Sequence, residues 1–536
     1  MRGMSGMMTM SRQSSCFLLT GVVTGLLALS LPGCGDRPAV WTASLTINGP
    51  HKVDDRVMWV DGTRGAVFSL DPVSETVQRL RIDPHTAFAT PSPARKRLLV
   101  LTSGTDPVTK GQTLLSAALT VIAVGAKGAF VEHIYPLSAP FDRISVAPDE
   151  STAIAYFSDA GGDGGAFFRN PNELAIIDLS TAAGAANPAF RTIRSLGSTP
   201  LGIAWSPKVT LGATAPRMLA LVLSKNYVTY LDLAHPGRPE ITVPLQPGDA
   251  AGTVKPDQVL FADDGTAFVR ASGSDDVFAI ALEPRPTTDP MVNDFRPLVN
   301  QPSAGKVARD MLLFSDAGHT QLLTVNTSQD LALIDAASSE FTIIPAGAPV
   351  DAILPVPSVN PTAAVIFSRS QPQSFVQFVD LKNLAAGGAK NITRRALARP
   401  VHDLVPVPGG TEVLVIHDDA RTIVSILDLG PRRTDTPIQG RVPLASFDFT
   451  DDGFLVGVSP KLDHLGVLDL TTFKTLDVRL DANPVRVLAV GGRIVIDHGE
   501  SQGRVTILPS ATAKRDEARS LWGFFLQGLF DDNLRD

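Results

Sequence analysis

From about residue 40 to residue 510 the chain alternates short apolar runs with polar turns. No stretch in that span holds the 3.6-residue spacing of a long amphipathic helix. One unit keeps returning, an apolar strand that ends in Asp and is followed by a small polar turn. It reads Val-Phe-Ser-Leu-Asp71, Ala-Ile-Ile-Asp178, Thr-Tyr-Leu-Asp232, Ala-Leu-Ile-Asp335, Gln-Phe-Val-Asp380, Ser-Ile-Leu-Asp428 and Gly-Val-Leu-Asp469. Degenerate copies at Leu119–Ala123 and Val277–Ala281 fill the two long gaps, and Val505-Thr-Ile-Leu closes the series. The unit returns about every 50 residues.

Between copies lies a strand, a turn and a second apolar strand, as in Gln258–Val269 around Asp264-Gly265 and Ala445–Val458 around Asp452-Gly453. Asp-Gly between apolar runs predicts a hairpin, because Gly tolerates positive φ. Each period then supplies four short strands. A four-stranded sheet with two apolar faces cannot cover itself, but neighbouring copies in a ring can. The pattern predicts an all-β fold, a β-propeller of seven to ten four-stranded blades over residues 55–510. The first strands, around Ala43–Ile47 and Val57–Val60, are expected to close the ring by pairing with the last unit. Two smaller propellers are the alternative. The repeated Asp reads as a cap on the following turn, since it recurs once per blade and catalysis needs no such repetition.

Residues 173–207 and 464–490 resemble the surface-layer repeat called YVTN, which runs as a Val-x-Val-Ile-Asp strand, a Thr-rich turn, a second strand, then Gly-x-x-Pro and Ser-Pro. The Gly-His and Trp-Asp signatures of WD40 blades are missing. The resemblance covers residues 55–510 and implies the propeller fold. It implies little about function, since propellers host binding modules and enzymes alike.

Composition narrows the class. Hydrophobic residues make up 44% and charged residues 19%, with a net charge of -7, which is neither a disordered chain nor a basic nucleic-acid binder. Two Cys in 536 residues exclude a disulfide scaffold.

The amino terminus reads as an address. Arg2 and Arg12 precede the apolar run 16–31, and Leu31-Pro32-Gly33-Cys34 follows. That order is a secretory signal peptide over residues 1–33, and the run is short for a spanning helix. The Cys after Leu-Pro-Gly resembles the lipobox of bacterial lipoproteins, with an ordinary signal peptide cut near Gly35 or an uncleaved anchor as the alternatives. The resemblance implies an acylated Cys34 as first mature residue, a linker with the first strand over 34–54, and a membrane held through that lipid in the cell envelope. Asp36 does not directly follow Cys34, which points to the outer membrane.

Chemical motifs are sparse. There is no G-x-S-x-G, H-E-x-x-H, C-x-x-C-H or Walker loop, so no catalytic residue or cofactor is assigned. Only four Trp argue against a quinone-cofactor propeller. The most suggestive polar clusters are His402-Asp403 and His417-Asp418-Asp419, with a turn or solvated strand end as the plainer reading. Asp159 and Asp163, in the Gly-rich loop 158–165, are candidate oxygen ligands for a metal such as Ca²⁺.

At the carboxyl end, residues 511–536 read as an amphipathic helix with an acidic tail. Ala518, Leu521, Trp522, Phe525 and Leu529 fall on one face. Leu521, Trp522, Phe525 and Leu529 are candidate contacts for a protein partner, with packing on the propeller rim and contact with a membrane as the alternatives. Taken together, the sequence suggests a lipid-anchored envelope propeller that binds a protein partner without catalysis. The alternatives are a propeller lactonase or lyase with a site in the central channel, and an outer-membrane assembly lipoprotein.

Overall fold

The computed structural model describes residues 45–104, 116–125, 130–158, 170–193, 199–211, 215–245, 253–289, 291–326, 328–357, 360–409, 411–417, 423–430 and 435–527. They form ten four-stranded antiparallel sheets, each built from four consecutive strands. In chain order the blades span residues 47–81, 86–136, 143–192, 200–244, 255–300, 308–345, 352–396, 401–439, 446–479 and 486–522, and we number them 1 to 10. The ten-blade ring sits at the upper end of the range expected from the repeat.

The seven Asp-terminated units are each the third strand of their blade. The two degenerate copies are genuine third strands as well, Ala118–Val124 and Phe278–Pro284. The Asp-Gly hairpins join first and second strands: Phe261 pairs with Ala267, and Gly265 in the turn between them has φ +87. Second and third strands read as continuous apolar runs because both their faces are covered by neighbouring blades. Arg56–Asp61 and Leu219–Ser224 are buried along their whole lengths. Outer strands face solvent on one side and alternate, as Thr76–Arg81 does.

The Asp cap is realised at all seven Asp-terminated strands. Oδ1 of Asp335 accepts the N–H of Ala337 at 3.0 Å and of Ser338 at 2.8 Å, and Asp469 accepts Thr471 at 2.8 Å and Thr472 at 3.0 Å. Asp71, Asp178, Asp232, Asp380 and Asp428 each accept the N–H two residues on.

Inner strands have one unpaired edge, which neighbouring blades partly satisfy with side chains. Asp310 of blade 6 accepts the Ile353 N–H of blade 7 at 2.8 Å, and Asp448 of blade 9 accepts the Ala489 N–H of blade 10 at 2.9 Å.

Closure differs from expectation. Blade 1 and blade 10 each own all four of their strands, so no strand is exchanged between the ends of the chain. The two meet through side chains. Val57, Trp59, Phe68 and Leu70 of blade 1 share a core with Val495, Val505 and Ile507 of blade 10 and with Phe524 and Phe525. Polar clasps reinforce it: Lys52 Nζ donates to the Ala489 carbonyl at 2.6 Å, and Arg64 donates to the Phe525 carbonyl at 2.8 Å.

The carboxyl end also differs. Within the span expected as a short amphipathic helix lies a strand, Arg519–Trp522, which is the outer strand of blade 10 and pairs Trp522 with Arg504. Among the described residues there, helical structure is limited to the 3-10 turns Arg515–Glu517 and Phe524–Leu526. Gly523, at φ 69, bends the chain so that both following Phe residues turn inward. The propeller therefore runs from Ile47 to Trp522, beyond both expected limits.

Candidate functional site: a polar cleft between blades 6 and 7

In each blade the second strand ends where the inner strand begins, and the third strand ends on the opposite side. The Asp caps therefore line one face of the ring, and the loops after second strands and before inner strands line the other. That second face carries a cleft of about 630 Å³ between blades 6 and 7. Blade 6 contributes Arg309 from the start of its inner strand, Asn326 from the end of its second strand, and Gln329. Blade 7 contributes Asp351, Ser368 and the Arg369–Gln371 loop.

Asp351 shapes the wall. Its carboxylate accepts the Arg369 N–H at 2.6 Å, the Ser370 N–H at 2.9 Å, the Ser368 hydroxyl at 3.0 Å, and the Ser370 hydroxyl. Burial opposes the charged form, but these hydrogen bonds outweigh it and hold the carboxyl below its ordinary range. Asp351 thus spends its acceptors on the loop.

The two arginines differ. Arg369 Nε donates to Asp403 of blade 8 at 3.0 Å, and its guanidinium lies 5.1 Å from the centre of the Phe367 ring. Arg309 is exposed and makes no hydrogen bond or ion pair among the described residues. Asn326 is buried and satisfied, its amide donating to the Ala304 carbonyl at 2.9 Å and its oxygen accepting the Ser328 N–H at 2.9 Å.

The residues nominated by sequence distribute as follows. His402 is exposed at the start of the blade 8 inner strand, and Asp403 beside it is the anchor of Arg369. His417 is buried and fully engaged: Nδ1 lies 3.1 Å from the Pro400 carbonyl and Nε2 2.7 Å from Ser425 Oγ. His498 of blade 10 repeats this arrangement with the Asn483 carbonyl at 3.1 Å and Thr506 Oγ1 at 2.9 Å. Burial lowers the pKa of both imidazoles. They clamp the loop before the inner strand to the third strand, a structural task that the sequence did not reveal for His498. Cys34, Asp159, Asp163, Asp418, Asp419 and Leu529 lie outside the described residues.

Of the tail candidates, Trp522 is 68% exposed on the outer edge of blade 10, with the Arg504 guanidinium 5.1 Å from its ring centre. Phe525 is buried in the junction of blades 1 and 10, and Leu521 packs against that core. The rim-packing alternative therefore describes Phe525, and Trp522 alone among the described candidates faces solvent.

Among the described residues no group of three or more His, Cys, Asp or Glu side chains is placed to hold a metal ion. No helix among them is long and apolar enough to cross a membrane.

No family model matches the chain, and no curated protein matches it in sequence. Among solved structures it is similar to dihydro-heme d1 dehydrogenase NirN in complex with DHE, at 10% identity and a TM-score of 0.39, over 82% of this chain and 78% of that one. It is also similar to a eukaryotic initiation factor, at 14% identity and a TM-score of 0.41, over 74% of this chain and 86% of that one.

Proposed function

We propose that this protein is a lipid-anchored propeller of the bacterial cell envelope that binds without catalysing a reaction. Residues 1–33 direct export, and acylated Cys34 holds the ring at a membrane, the outer membrane in particular. The ring then offers a broad rigid surface to an envelope partner. One observation carries the binding half of this reading. Of the ionisable groups nominated for chemistry, His417 is committed through both ring nitrogens and Asp403 to Arg369, while Arg309 stands in a cleft unpaired among the described residues. A general base needs a free lone pair within reach of substrate, and a binding site needs unpaired donors. The anchoring half rests on the Leu31-Pro32-Gly33-Cys34 sequence.

Metabolic labelling with palmitate, followed by membrane fractionation, tests the anchor. The natural chain should carry label and sediment with outer membranes, and Cys34→Ala should do neither. An unlabelled natural chain, or a Cys34→Ala chain that remains in the membrane fraction, would contradict the anchor.

A further inference from the structure

The lining of the cleft between blades 6 and 7 has a definite chemical character. Arg309 and Arg369 are cationic and Asp351 is anionic, so the lining carries one net positive charge in a chain whose total is -7. Asp351 is turned into its own loop by four hydrogen bonds, and Arg369 is partly neutralised by Asp403. The charge offered to an incoming molecule is that of Arg309. Around it stand the carboxamides of Gln329 and Gln371, neither of which is bonded within the described chain. Each carboxamide can both donate and accept.

We propose that this cleft binds a hydroxylated monocarboxylate, the chemistry of a sugar acid, with Arg309 taking the carboxylate. A guanidinium presents paired N–H donors that match the two oxygens of a carboxylate. A cation would meet Arg309 unfavourably. A phosphate dianion would overbalance a single positive charge beside the Asp351 carboxylate. An apolar ligand would strip water from Arg309 and both carboxamides without replacing their hydrogen bonds. Hydroxyl groups satisfy those carboxamides, and a volume of about 630 Å³ accommodates a mono- or disaccharide. This assignment rests on the binding reading above and is independent of the lipid anchor.

The test is calorimetric titration of the full-length protein in detergent with glucuronate, glucose and inorganic phosphate. Arg309→Gln is the informative variant, and Lys306→Gln, an exposed cation nearby that does not line the cleft, is the control. Glucuronate should bind at least about tenfold more tightly than glucose, and more tightly than phosphate. Arg309→Gln should abolish that preference, with an unchanged unfolding midpoint, and Lys306→Gln should retain it. Failure of glucuronate to bind at millimolar concentration, equal affinity for glucose, tighter binding of phosphate, or an unaltered preference in Arg309→Gln would overturn the assignment. An envelope partner captured in cells despite such a failure would leave the binding reading standing while removing this ligand.

Discussion

Trp59 of blade 1 donates its indole N–H to the Asp497 carboxylate of blade 10 at 3.2 Å, and both residues are buried. This bond joins positions near opposite ends of the chain. It sits beside Phe524 and Phe525, whose ring centres lie 5.3 and 6.1 Å from the Trp59 ring. Since no strand is shared across the closure, this junction is what seals the ring.

Trp59→Ala should therefore destabilise the fold strongly, by about 3–5 kcal/mol for loss of a large buried aromatic. Trp59→Phe keeps most of the packing but leaves Asp497 without its indole donor, at a cost of about 1–3 kcal/mol. Urea midpoints of the two variants should fall in that order below the natural chain. Unchanged midpoints would mean that closure rests elsewhere.

Trp522 and Phe525 were nominated together and should separate. Phe525→Ala opens the closure core and should cost about 3–5 kcal/mol. Trp522→Ala removes an exposed ring and its contact with Arg504, about 0.5–1 kcal/mol. A Trp522→Ala chain that unfolds as early as Phe525→Ala would show that the outer edge of blade 10 is structural.

The architecture was legible because its signals are local. An Asp at a strand end must cap the next turn, and an Asp-Gly pair between apolar runs must form a hairpin. Seven Asp residues and the Asp-Gly turns marked the blades. The copies at 119–123 and 277–281 lack that Asp, so their standing as blades waited for the sheet pairings. The tail was misread because Ala518, Leu521, Trp522 and Phe525 fit a helical face as well as they fit a strand followed by a turn. Gly523 in a left-handed conformation decided the matter. The cleft was invisible in sequence because Arg309 and Arg369 belong to different blades, and only the ring brings them together.

Acid should weaken the fold in two stages. Burial lowers the pKa of His417 and His498, and burial followed by the Arg486 charge lowers His51 to about 4. The unfolded chain therefore takes up protons first, near pH 6.5, and stability is full above that value and lost as pH falls below it. The carboxyls of Asp335, held down first by the Ser338 N–H, and Asp469, held down first by the Thr472 hydroxyl, act in the next window. Their contribution is present above about pH 4 and lost as pH falls further. Urea midpoints taken from about pH 8 to about pH 3 should show both stages. The double variant His417→Gln, His498→Gln should reduce the upper stage to the share that His51 contributes, and spare the lower one. An unaltered upper stage would contradict the assignment.

The central claim is that this ring binds an envelope partner while anchored through Cys34. Crosslinking in intact cells, with recovery of the protein and identification of its partners by mass spectrometry, tests it most directly. The account predicts one recurrent envelope partner that is lost in a Cys34→Ala strain. Absence of any partner above background, or the same partner captured equally by the Cys34→Ala chain, would contradict it.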